Sequence, residues 1–288
     1  MKSTTLFSLA ALLVSSAGAS PLAYVPNEKS GTISVIDTTS DTVLREIAAG
    51  KRPRGIASDP AGGTLFVTDA GSNALLVLDA ASGQAAAPIA LGRSPEGVHA
   101  SADGRYVAVA VEESNSVTLI DAPARRRLAD IKVEGSNPEH AVFSPDGRWL
   151  LVSAEEAKQV DVIDVALRRQ VGKIAVGLRP RGIGFSSDSQ RAYVAAELVN
   201  AVYVIDMASR RALAVIPAGK NANGIAVHPN GKHVYVSNGT DGTVMRIDTA
   251  TNSVSATIAV GKRPWNMALT PDGAKLYVAN GRSNSVSV

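Results

Sequence analysis

The sequence predicts an all-β fold, a seven-bladed β-propeller of four-stranded antiparallel blades, on three observations. A repeat keeps one period over nearly the whole chain. Each period holds four short apolar runs separated by turn signals. The second run of the period occurs seven times.

The repeat is clearest at Gly261 to Asn280, GKRPWNMALTPDGAKLYVAN. Its Gly-x-x-Pro opening recurs at Gly50/Pro53, Gly92/Pro95, Gly135/Pro138 and Gly177/Pro180, and at Gly219 the proline gives way to Ala222. An aliphatic residue followed by aspartate falls at Asp37, Asp79, Asp121, Asp164, Asp206 and Asp248, so successive spacings are 42, 42, 43, 42 and 42. A period of roughly 40 to 50 residues is the range of propeller blades and of helical arrays.

The interior of the period separates those two. In one repeat the runs are Asn223 to Val227, His233 to Ser237, Val244 to Asp248 and Val254 to Val260. Between them stand Pro229-Asn230-Gly231, Asn238-Gly239-Thr240-Asp241-Gly242 and Thr249-Ala250-Thr251-Asn252. Asn-Gly and Asp-Gly pairs accept the positive φ of tight hairpins, and the runs are rich in Val, Ile and Tyr. No helical period is sustained, so the unit is a four-stranded meander. Second strands counted at Tyr24, Phe66, Tyr106, Trp149, Tyr193, Tyr235 and Tyr277 give seven blades.

Composition fits an ordinary globular chain with a formal net charge of +3, which by itself implies neither a nucleic-acid nor a membrane partner. Cysteine is absent. That excludes disulfides, thiolate catalysis and Cys-x-x-Cys-His haem attachment.

Residues 1–19 read as a secretory signal peptide: Lys2, an apolar core from Leu6 to Val14, then Ala17-Gly18-Ala19. The core is too short to span a bilayer. A periplasmic or secreted location is therefore expected, with one domain over residues 20–288. Blade one covers about 20–50, and further repeats start near 51, 93, 136, 178, 220 and 262. Leu22 to Asn27 matches a second strand, so blade one lacks its inner strand. Ser285-Val286-Ser287-Val288 falls within a third strand, so blade seven lacks its outer one. The C-terminal closure of the ring is expected to be truncated, and the complete protein to be about 25 to 35 residues longer, judged from the repeat length.

Tyr24-Val25-Pro26-Asn27, Phe66-Val67-Thr68-Asp69, Tyr235-Val236-Ser237-Asn238 and Tyr277-Val278-Ala279-Asn280 resemble the signature of the YVTN-repeat β-propellers. Within them the chain is similar to propellers associated with pyrroloquinoline-quinone-dependent catabolism. The carriers are Arg52-Pro53-Arg54-Gly55, Pro95-Glu96-Gly97, Pro138-Glu139-His140, Pro264-Trp265 and Asn280-Gly281-Arg282-Ser283-Asn284. The resemblance implies a seven-bladed exported protein without established catalysis.

Propeller geometry places the Gly-x-x-Pro loops and the loops between second and third strands around one mouth of the central channel, where loops on a rigid scaffold bind. Basic residues Lys51, Arg52, Arg54, Arg179, Arg181, Lys262 and Arg263 should flank an acidic sector of Glu96, Glu112, Glu113, Glu139, Glu155 and Glu156 beside His140. The candidate mouth residues are Arg54, Glu96, Glu139, His140, Arg181, Asn223 and Trp265. Two readings compete. Glu139, His140 and Glu96 hold a cation or a partner's basic loop while Arg54 and Arg181 clamp an anion, or opposite charges simply neutralise each other. His140 stands where other repeats have Gly55, Gly97, Gly182 and Gly224, and Trp265 either stacks on a planar ligand or fills a gap between blades.

The sequence lacks a Gly-x-Ser-x-Gly elbow, a His-Glu-x-x-His helix, a phosphate-binding glycine loop and calcium-loop spacing. The expectation is an exported, non-catalytic binding or scaffold protein with a periplasmic protein partner and no resident cofactor, accessory to a quinoprotein-type oxidation system. Alternatives are a haem- or metal-binding redox propeller, with Glu139 and His140 as candidate ligands, and a propeller binding single-stranded nucleic acid through its basic residues and Trp265. A lactonase-like hydrolase ranks after these.

Overall fold

A computed structural model describes residues 21–288; the signal-peptide reading of residues 1–19 lies outside them. Among the described residues, seven antiparallel sheets follow one another along the chain. The first, Leu22–Asn27, Thr32–Asp37 and Thr42–Ala48, and the last, Pro264–Leu269, Leu276–Asn280 and Ser285–Ser287, have three strands each; the other five have four. The protein is a seven-bladed β-propeller. Inner strands begin at Pro53, Pro95, Pro138, Pro180, Ala222 and Pro264.

Middle strands of a propeller are covered on both faces, and their side chains alternate between the two neighbours. In Thr64–Asp69, Leu65 and Val67 pack towards blade one, whereas Phe66 packs towards blade three. In Tyr106–Val111, Val107 and Val109 meet blade two while Ala108 and Ala110 meet blade four. This explains why second strands read as unbroken apolar runs rather than as alternation. Leu150 and Leu151 divide in the same way between blades three and five.

Three details depart from a uniform meander. The outer strand of blade two is reduced to Ile89–Ala90, directly after Pro88, which has no N–H for a ladder. Two mouth loops contain 3₁₀ turns, Glu112–Ser114 and Glu197–Val199, each closed by an asparagine in the left-handed region, Asn115 and Asn200. Of the arginines in the outer hairpins, Arg210 stacks 4.4 Å from the ring centroid of Trp149 in the preceding blade, opposite Arg148 at 4.5 Å.

Blades seven and one meet through a polar clasp. Lys275 Nζ donates to Thr38 O at 2.7 Å and to Asp41 Oδ2 at 2.8 Å, and Tyr277 donates its hydroxyl to Asp41. Burial, joined by the Asp41 carboxylate, pushes the Tyr277 phenol up to about 12.

Candidate functional site

The loops between second and third strands are bound to the Gly-x-x-Pro loops, blade after blade. Glu112 N donates to Ser94 O (3.0 Å), Glu155 N to Asn137 O (2.9 Å), Glu197 N to Arg179 O (2.9 Å), Gly239 N to Asn221 O (2.9 Å) and Gly281 N to Arg263 O (2.9 Å). The last residue of the Tyr-Val-x-Asn pattern fixes this corner from inside the blade. Asp69 accepts from the amides of Lys51 (3.1 Å), Arg52 (2.7 Å) and Gly71 (3.0 Å), and Asn238 Oδ1 accepts from Gly219 N at 3.0 Å. Blade four has Ala154 there, and Asp161 Oδ2 takes the Gly135 amide at 2.7 Å instead.

One residue further in, each of the six inner strands begins with a bulge. Pro53 pairs with Asp69 and Ile56 with Val67, so Arg54 and Gly55 oppose Thr68 alone. The bulge turns the residue after the proline towards its neighbour at the channel mouth. Six residues share the position: Arg54, Glu96, Glu139, Arg181, Asn223 and Trp265. Gly55, Gly97, Gly182 and Gly224, which follow four of them, lie against the next blade's main chain. A Cβ on Gly55 would fall 2.6 Å from Glu96 O, and one on Gly224 would fall 2.2 Å from Trp265 O. Where the opposing residue has a hydroxyl, it stitches two blades together. Thr68 Oγ1 accepts from Gly55 N (2.7 Å) and donates to Glu96 O (2.6 Å), and Ser237 Oγ does the same between Gly224 N (2.8 Å) and Trp265 O (2.6 Å).

Blade seven has Asn266 and blade four His140 in place of the glycine, and in blade four the pairing differs. Its extra residue is Glu139 alone: the register shifts between Pro138 and His140, and His140 pairs directly with Ser153. Ser153 Oγ, fully buried at the stitching position, is left without a partner. The imidazole packs on Gly97 of blade three and keeps a partial opening to solvent. Burial, with Arg181, Arg54 and His99 adding to it, lowers its pKa to about 4. His140 is neutral at pH 7. His99, lowered to about 4 by burial, accepts from Phe143 N at 3.3 Å and so bridges blades three and four.

Arg54 pairs with Glu96. Arg181, buried with 3% exposure, pairs with Glu139 and Glu155 and donates from Nε to Glu197 Oε2 at 2.7 Å. Arg179 completes the group, 2.8 Å from Glu155 Oε1 and 3.2 Å from Glu197 Oε2. Burial pushes Glu96 up to about 8, and Glu139 and Glu112 add to the shift while Arg54 opposes it. Burial also raises Glu139, against Arg181. Burial acts on Glu155 in the same direction, but its hydrogen bond with Glu139 and the two guanidiniums hold it low. Of the two, Glu139 therefore takes a proton the more readily. Three glutamates, Glu139, Glu155 and Glu197, thus surround the two guanidiniums of Arg179 and Arg181.

Of the expected residues, the structure brings Glu139, His140 and Arg181 together between blades three and five, and Arg54 and Glu96 beside them. Asn223 is buried with Oδ1 unpartnered. Trp265 is half-buried, with the Arg263 guanidinium 5.0 Å from its ring centroid. Sequence reasoning passed over Glu197 as a member of the cluster. Its position right after the second strand, shared with Glu28, Glu112 and Glu155, was the available signal. Among the described residues no group of three or more His, Asp and Glu side chains is placed to hold a metal ion. Both arginines expected to clamp an anion already face carboxylates.

Two family models match parts of the chain: "Lactonase, 7-bladed beta-propeller" over residues 168–288 and "Cytochrome D1 heme domain" over residues 105–220. No curated protein matches. Among solved structures, the hydrazine synthase of Kuenenia stuttgartiensis superposes with a TM-score of 0.85 at 22% identity, covering 98% of each chain. These likenesses establish the propeller fold.

Proposed function

We propose that the protein is a non-catalytic binding module whose working face is the Gly-x-x-Pro mouth, and that its partner is another protein. The observation that carries this reading is the closed ion network of the mouth. The inner-ring acids and Arg54 and Arg181 are engaged with one another, so the face is a rigid platform whose polar groups already have partners rather than a set of groups waiting for substrate. Rigid loops of this kind lower the entropy cost of binding. The YVTN-like signature and the leader-like N-terminus support export, and the similarity to quinone-associated propellers supports a place beside a periplasmic oxidation system. No helix among the described residues is long and apolar enough to cross a membrane.

A second reading has its own observation. His140 is neutral and lies within residues 105–220, the part that matches a haem-domain model. A neutral imidazole at a channel mouth has the lone pair an iron or other transition metal needs. Glu139 beside it is the candidate second ligand. The cation readings of the remaining acids compete with Arg54 and Arg181 for the same carboxylates.

Native mass spectrometry, elemental analysis and a visible spectrum of the protein purified from its own source separate the two. A bare polypeptide or a protein complex is expected. A stoichiometric metal or a visible absorption band, lost on His140→Ala, would replace the binding-module reading with the redox one.

A further inference from the structure

Resting on the reading of the mouth as a protein-binding face, we propose that the cavity between blades four and five is the docking point, and that it takes a partner loop presenting one apolar side chain next to a lysine or arginine.

The repeat itself singles this place out. Two residues before each proline or its equivalent the chain has Lys51, Arg93, Ser136, Leu178, Lys220 and Lys262. Two residues after each second strand it has Lys29, Gly71, Glu113, Glu156, Leu198, Thr240 and Arg282. Leucine replaces a polar residue or glycine at both positions in blade five alone. The two leucines line one cavity of about 410 Å³, together with Glu155, Glu156, Lys158 and Arg179. Leu178 is 42% exposed and Leu198 55%, and the neighbouring Val199 is 39% exposed. A cluster of exposed aliphatic side chains at a loop-built mouth marks an interaction site more specifically than scattered ones do.

The cavity is also preformed. Leu198 N donates to Leu178 O at 3.3 Å, Arg179 N to Ala157 O at 3.2 Å and Glu197 N to Arg179 O at 2.9 Å, which locks three loops from two blades together. Arg179 is held beneath them by Glu155 and Glu197. Gly177 lets Val199 close over the loop, since a Cβ there would lie 2.3 Å from Val199 Cγ2. The volume suits one or two side chains, so the cavity takes an anchor while the rest of the mouth supplies area.

Charge selects the anchor's neighbour. The arginine and its two carboxylates are satisfied, which leaves Glu156 exposed and unpaired on the rim. Blade three continues the acidic side with Glu112 and Glu113. A basic residue next to the anchor meets this side at both short and longer range. Lys158, exposed at the other end of the rim, limits the acidic side to the part formed by Glu156.

The test is selection of a phage-displayed library of random dodecapeptides on the full chain. Enriched sequences are then made as free peptides and titrated against wild type, Leu198→Asp, Glu156→Lys and, across the mouth, Lys262→Ala. Because Leu198 is exposed, its aspartate variant should fold, and a thermal melt checks this. Peptides sharing an apolar-basic pair are expected, with binding weakened about tenfold or more by Leu198→Asp, several-fold by Glu156→Lys and unchanged by Lys262→Ala. Peptides weakened by Lys262→Ala but indifferent to Leu198→Asp would overturn the docking point while leaving the protein-binding face in place. Acidic peptides sensitive to Leu198→Asp would overturn the stated partner chemistry. No enrichment, or binding indifferent to all three substitutions, would remove the docking point and the protein-binding reading together.

Discussion

Removing the Arg181 guanidinium would leave Glu139, Glu155 and Glu197 around a buried site with Arg179 as their remaining countercharge. Breaking one side of a buried ion network costs about 3–5 kcal/mol. Arg181→Met is therefore expected to lower unfolding stability by that order in urea titrations, whereas Arg93→Met, whose exposed pair with Glu113 faces solvent, should change it by less than about 1 kcal/mol. Protonation at the same mouth sets a pH profile. Glu96 and Glu139 bind protons more tightly folded than unfolded, so their contribution falls as pH rises from about 4.5 towards about 8. His99 and His140 bind them less tightly when folded, from about 6.5 down to about 4, so their contribution falls as pH drops through that range. Between about 4.5 and 6.5 the two pairs oppose each other; above this the glutamates act alone. The melting temperature should decline from pH 6.5 to 8, and Glu96→Gln should flatten that decline. A melting temperature that rises over this interval would contradict the buried, protonated state of Glu96.

At the level of the strand, the bulge and its glycine set how closely neighbouring blades approach. Gly224→Ala drives a Cβ into Trp265 O and is expected to cost about 1–3 kcal/mol, the range for forcing extra volume into a packed site. Gly63→Ala, with nothing within 4 Å of its new Cβ, should stay within about 0.5 kcal/mol. Paired chemical denaturation of the two variants checks the claim. Blade four supplies the converse. With His140→Gly, the side chain that sets the direct pairing to Ser153 is gone, and Ser153 stands where Thr68 and Ser237 form their stitches. A crystal structure of that variant should show residues 139 and 140 together opposing Ser153, as Arg54 and Gly55 oppose Thr68, and Ser153 Oγ bonded to the main chain of blade five. Retention of the direct pairing to Ser153 would mean that His140 is not its cause.

Across the whole ring, covalent continuity carries blade one through to blade seven, and the return from seven to one rests on Lys275, Tyr277, Thr38 and Asp41. Both blades at this seam have three strands. Local opening begins where few buried contacts hold an element. Amide hydrogen exchange should therefore be fastest in Leu22–Asn27, Pro264–Leu269 and Ser285–Ser287, and slowest in Tyr106–Val111, Trp149–Ala154 and Arg191–Ala196. Asp41→Asn removes the charge held by Lys275 and should speed exchange in blades one and seven while leaving blade four unchanged. Equal acceleration around the ring would show that the propeller opens as one unit.

The seven blades were legible in the chain because each repeats the same hairpin chemistry at a fixed spacing, and a strand covered on both faces writes itself as an apolar run such as Phe66-Val67 or Leu150-Leu151-Val152. The mouth residues were legible as well, since the residue after the proline occupies one place in every blade. Their partners were not. Arg181 reaches Glu139 one blade back, and Glu155 and Glu197 on two different loops, and separations of 42, 26 and 16 residues fall on no single pattern. The raised affinity of Glu139 for a proton, the direct pairing of His140 with Ser153 and the cavity lined by Leu178 and Leu198 arise only when neighbouring blades are brought into contact. Local propensity and spacing fixed the repeated unit, and desolvation and close packing between units decided which charges pair, which carboxyl takes a proton more readily and where the surface stays apolar.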